Sequence, residues 1–155
     1  MKKTGISLLI LAILAVGAYF LTQTKTGSTL EADERNFSLE DTASITRIFM
    51  ADKKGNNVSL SRSETKNWVV NDKAKARPDA VNLLLETINA LRVKAPVSKS
   101  AYDRVIRNLA SNSTKVEIYM GDEKPSKVFY VGGPTQEHTG TYMLLEGASK
   151  PFVMH

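Results

Sequence analysis

Apolar and polar positions change their period along this chain, and the changes divide it. From Ile6 to Leu21 every residue is apolar except Ser7 and Gly17, and Lys2 and Lys3 stand just ahead. A run apolar on every face predicts an inserted segment rather than an amphipathic core helix. At about 1.5 Å per residue its sixteen residues span roughly 24 Å. Thr22 to Asn36 carries no sustained apolar period and predicts a polar stalk. From Ile45 to Met50 the residues predict a mostly apolar strand. Asp52 to Asn57 is a turn cluster with Gly55 available for a positive φ. Val58 and Leu60 alternate with serines in a second strand, and Trp68-Val69-Val70 makes a short third one. Tight polar turns between them predict an antiparallel meander.

The period then lengthens. Val81, Leu84, Leu85, Ile88 and Leu91 recur at three- and four-residue spacing, predicting a helix from Pro78 to about Val93. Pro78 suits the first helical turn, Asp79 suits the positive end of its dipole, and Pro96 prevents continuation. Ser100 and Asp103 form a loose capping pair for a shorter second helix, with Tyr102, Val105, Ile106 and Leu109 inward. Alternation returns at Val116, Ile118 and Met120, then at Val128 to Val131 and Tyr142 to Leu145, with a further strand beginning at Pro151. The expected fold is α+β: antiparallel sheet or sheets, with two helices between two strand groups covering one face, preceded by one N-terminal transmembrane helix. The domain limits are 1–21 for a signal anchor, 22–36 for the stalk and 37–155 for an extracytoplasmic α+β domain.

A charged start, an apolar core and a polar exit form the layout that export machinery reads. The lysines stay on the cytoplasmic side, so the chain beyond Leu21 crosses the membrane. Ala15 and Gly17 lie inside the apolar core, and Tyr19, Phe20 and Leu21 extend it, so no cleavage site is evident. The reading is an uncleaved anchor, with residues 5–21 in the membrane; secretion after signal cleavage is the alternative. The chain has no cysteine. That excludes lipoprotein attachment, disulfides, cysteine nucleophiles, thiolate metal sites and iron–sulfur clusters.

Charge adds one further distinction. The net +5 is concentrated in residues 62–107, with ten basic and five acidic side chains; the flanking segments nearly balance. Such a segment suits an anionic headgroup, an acidic glycan or an acidic partner, and is equally an ordinary solvated helical surface. Within it Lys73, Lys75 and Arg77 are candidate partner contacts. No nucleic-acid recognition motif accompanies them, and nucleic acid is not an expected partner.

The most site-like stretch is 131–142, where Gly132, Gly133 and His138 are candidate contacts and Glu137 stands beside the histidine. Glycines admit close backbone approach, and histidine moves protons near neutral pH. A phosphate-cradling loop needs a helix after it, however, and here a strand comes next. A hairpin connection is the simpler reading. His138 and His155 lack metal-ligand spacing, and no nucleophile-elbow pattern occurs. No catalytic residue, metal or cofactor is therefore expected, and the chain reads as a non-enzyme. Trp68, the sole tryptophan, is expected in the core.

The layout resembles a family of bacterial envelope proteins known as domain of unknown function 4340. The similar features are the membrane segment, Trp68-Val69-Val70 and the helix motif Pro78-Asp79-Ala80-Val81-Asn82-Leu83-Leu84, ending Ala90-Leu91-Arg92-Val93. Val116-Glu117-Ile118-Tyr119, Phe129-Tyr130-Val131-Gly132-Gly133, Gly140 through Gly147 and Pro151-Phe152-Val153 complete it, over about 37–155. The resemblance implies an accessory role beside ABC-type transporters, including those associated with gliding motility, and carries over no catalytic residues. Members usually continue beyond the Pro-Phe-Val strand, which implies a shortened or partial chain here. The expected function is a membrane-anchored, non-enzymatic domain of an ABC-transporter-type envelope complex, single-pass in a bacterial inner membrane with its domain extracytoplasmic or periplasmic. Its expected partner is a membrane protein, transporter subunits among them. The alternative is a binding module for an anionic envelope lipid or glycan; a hydrolase using His138 is a third reading.

Overall fold

A computed structural model describes residues 34–155 apart from Glu64. The expected anchor and most of the stalk lie outside the described residues. Among the described residues no helix is long and apolar enough to cross a membrane. The chain runs β1 (Arg47–Asp52), β2 (Asn57–Arg62), β3 (Trp68–Val70), β4 (Ala74–Lys75), α1 (Pro78–Ala90), β5 (Val93–Pro96), α2 (Lys99–Asn112), β6 (Thr114–Tyr119), β7 (Lys127–Pro134), β8 (Thr141–Leu145) and β9 (Phe152–Met154). All nine strands join one sheet in the order β4-β3-β2-β1-β6-β7-β8-β9-β5. Every pairing is antiparallel. The expected meander and the later strand group are thus joined through the β1–β6 pair, and α+β architecture with mostly antiparallel sheet holds.

Cross-strand partners share a face, because side chains alternate along each strand. Ile48 therefore sits between Leu60 and Ile118, and Val116 lies beside Met50 and Phe129. This row, continued by Met143 and Phe152, meets Val81 and Ile88 of α1 in the main core. Phe37 closes the core from outside the sheet, edge-on to Phe129 and Phe152 at 6.3 and 6.1 Å between ring centres. Residues 34–36, at the end of the expected stalk, are held on this unit. Glu34 accepts from Ser149, Arg35 lies over the Phe152 ring, and Lys127 Nζ donates to the Asn36 and Ser38 carbonyls at 2.6 Å.

Helix α2 uses the opposite face. It lies over β7 and β8, where Ile106 and Leu109 meet Tyr130 and Leu144. The expectation that both helices cover one face is corrected here. The sheet has apolar surface to cover on both faces, and each helix carries one stripe. Two helix limits also differ. α1 stops at Ala90, after which Leu91 leaves the helical conformation with a ψ of 123° and Arg92 donates from its guanidinium to the Asn89 and Leu91 carbonyls. Leu91 and Val93 keep the apolar spacing because loop and strand serve the same core. α2 begins at Lys99 with Ser98 as its N-cap residue, not at Ser100, and it is the longer helix.

The part of this second face beside β1 and β6 is charged. Lys115 Nζ lies 2.8 Å from Glu117 and 3.7 Å from Glu146, and the Tyr119 hydroxyl donates to Glu117 at 2.6 Å. Lys115, and then the Tyr119 hydroxyl, hold the Glu117 carboxyl below its ordinary range. A depressed folded pKa gives stability that is complete above the ordinary value of about 4.3 and is lost as pH falls through the lower folded value. Glu117→Gln is expected to cost up to about 1 kcal/mol at neutral pH, because the group is partly exposed. That difference should shrink toward zero in acid. Urea midpoints of both proteins at neutral and acidic pH measure this; parallel pH profiles would rule the role out.

Candidate functional site

The six candidate contacts do not converge. Gly132 and Gly133 lie within β7, not in a loop. At Gly132 an added Cβ would stand 2.7 Å from Leu109 Cδ2 and 3.1 Å from the Tyr142 carbonyl oxygen. The bare backbone is what lets α2 approach the sheet. His138 sits at the exposed tip of the following turn with a left-handed φ of 53°, its N–H donating to the Thr135 carbonyl at 3.0 Å. The turn closes through Thr135 N–H to the Gly140 carbonyl at 2.8 Å. This is the hairpin connection of the simpler reading. At the far end of the sheet, Lys73 lies in the β3–β4 turn. Arg77 precedes α1 and is ion-paired with Asp79, which lowers the carboxyl's pKa and raises that of the guanidinium. Lys75, on edge strand β4, is the one of the six that lines a cleft with other cations.

Two concavities stand out. The larger, about 460 Å³, lies between α1 and the sheet. Leu84, Ile88 and Leu91 line it from the helix side, and Val116, Phe129 and Val131 from the strands. Its polar lining is Thr87, Thr114, Thr141 and His155, and the histidine is the one titratable side chain there. This volume and lining suit an uncharged apolar group. Sequence periodicity marks these apolar residues as core but cannot show that helix and sheet leave space between them.

The smaller cleft, about 310 Å³, surrounds Trp68. Arg62 lies across from Trp68 in the β2–β3 pair, with its guanidinium 5.0 Å from the ring centre, within cation–π range. One Arg62 terminal nitrogen donates to the Ala43 carbonyl. Its Nε–H is buried and has no partner among the described residues. Lys66 and Lys75 line the same cleft, with Asn67 and Asn82 as neutral donors and acceptors and Leu85 among its apolar lining. Trp68 is half-buried, packing against the core while lining this cleft.

No family model, curated protein or solved structure matches the chain. The two clefts are therefore read from their own chemistry. Arg62 and Lys66 do not stand out in the sequence. Their spacing around a tight turn leading into Trp68 is the available signal, masked by the general excess of cations in residues 62–107.

Proposed function

We propose that the protein is a membrane-anchored, non-enzymatic binding domain, working as an accessory component of an ABC-transporter-type envelope complex on the outer side of a bacterial inner membrane. The observation that carries the binding reading is the apolar cleft under α1. Its lining gains energy by taking apolar surface out of water, at about 25 cal/mol per Å². The occupant in this reading is an apolar segment of a membrane-protein partner. The lysine-flanked apolar run and the resemblance to the envelope family support the location and the transporter association. An anchor raises the effective concentration of domain and partner along the membrane.

The test is crosslinking in intact membranes with a photoreactive residue at Thr87, on the cleft lining. Recovery of a permease subunit, lost on Leu84→Asp and retained on Leu83→Asp, is the expected result; Leu83 is 65% exposed and absent from that lining. Equal recovery from both variants would reject the cleft as the contact. A second reading, a module for an anionic envelope ligand, is favoured by the cation-lined cleft at Trp68.

A further inference from the structure

We infer that the cleft beside Trp68 is a binding site for a phosphate-type oxyanion, carried on a phospholipid headgroup or free in solution; this deepens and rests on the anionic-ligand reading. The lining points to an anion, and two further features describe the groups that form it. First, Arg62, Lys66 and Lys75 all line one small cleft, and no carboxylate is among its described lining residues. Several cations elsewhere on the domain are matched: Arg77 by Asp79, Lys115 by Glu117 and Glu146, Lys127 and Arg92 by backbone carbonyls. Asp79, next to Pro78 of the lining, is held by Arg77.

Second, the buried Arg62 Nε–H has no acceptor among the described residues. A buried donor without a partner costs about 1–3 kcal/mol, and such a group in a folded protein calls for an explanation. Because that atom is closed to solvent, an oxyanion in the cleft meets the charge of Arg62 without accepting from Nε. The guanidinium is already fixed by the Trp68 ring and the Ala43 carbonyl, so little side-chain freedom is lost on binding. Its planar fork matches a phosphate or carboxylate edge, and charge-assisted hydrogen bonds of this kind are the strong ones.

Third, Lys66 adopts a φ of 60°, a left-handed conformation that bulky side chains rarely take. The turn holding it is closed by Ser63 N–H to the Asn67 carbonyl at 2.8 Å and Lys66 N–H to the Ser63 carbonyl at 2.9 Å. Glycine or asparagine would sit there with less strain. The same turn geometry occurs at His138, and here it holds Lys66 at the rim of the cleft. The cleft's small volume suits a single headgroup or ion rather than a polymer.

Trp68 is the only tryptophan of the chain, so its fluorescence reports on this cleft alone. The experiment titrates the full-length chain in neutral detergent with inorganic phosphate, and separately with short-chain phosphatidylglycerol, at constant ionic strength. Saturation with inorganic phosphate shows that the free ion suffices; saturation with phosphatidylglycerol alone assigns the headgroup. In either case the joint Lys66→Gln and Lys75→Gln variant should bind more than about tenfold more weakly. Lys73→Gln, outside the lining, should stay within about twofold. Absence of a saturable change with both probes, or equal weakening in Lys73→Gln, overturns the site. The titration needs no protein partner. Its failure leaves the crosslinking result standing, and failed crosslinking leaves the titration intact.

Discussion

Phe152→Ala is expected to lower the unfolding free energy by about 3–5 kcal/mol, the range for removing a large aromatic ring from a closed core. Phe152 is fully buried, edge-on to Phe37, and paired with Met143 on one side and Pro96 on the other. Strand β9 is the link between β8 and edge strand β5, so the cavity would loosen both pairings and the docking of Phe37. Against a typical total of about 5–15 kcal/mol, such a loss can leave a substantial unfolded population at growth temperature. Urea unfolding of the full-length chain measures it, with Phe152→Leu as the milder companion. A loss under about 1 kcal/mol for the alanine variant would mean that this corner of the core is not closed as described.

The second large effect concerns Gly132. Gly132→Ala is expected to destabilise by about 1–3 kcal/mol through overpacking, although alanine is otherwise the better strand residue. The added methyl would press on Leu109, which is 4% exposed, and on the backbone carbonyl of Tyr142, which is fixed in β8. Gly133→Ala provides the contrast, because its nearest neighbour is Asn108 Oδ1 at an ordinary 3.9 Å. It should be neutral or slightly stabilising. Most of the Gly132 cost should vanish in a Leu109→Ala background, since the two sites share one contact. If Gly132 instead served a ligand, its substitution would change binding without changing stability, and the Leu109 background would make no difference.

Much of the local structure was legible along the chain. Alternation at Val58 and Leu60, the Trp68-Val69-Val70 run and the Val116 to Tyr119 segment each became a strand, and the stripe from Val81 to Ile88 became the buried side of α1. Short edge strands were not legible. Ala74–Lys75 and Val93–Pro96 are too brief for a period, and they exist because a neighbouring strand offers free hydrogen-bonding groups. The extent of β7 through Gly132 and Gly133 was hidden for the opposite reason. Glycine reads as a turn in sequence, whereas here it is the residue that a closely approaching helix requires.

The candidate sites divide in the same way. Composition located the positive charge within residues 62–107 and included Lys75, but three-dimensional pairing decided which cations gather in one place. Arg77 is taken by Asp79, while Lys75 joins Arg62 and Lys66 around Trp68. That outcome depends on strand register and on the conformation of one turn, neither of which a local pattern encodes. By itself the sequence determined the α+β class, the positions of the two helices and most strands, and the absence of cysteine chemistry. These follow from residue type and period, which act over a few neighbouring positions. Only the tertiary structure decided that one sheet joins both strand groups, that its helices lie on opposite faces, and that an apolar cleft and a cationic one remain. Those depend on contacts between residues distant in the chain, where packing against a shared core overrides local preference.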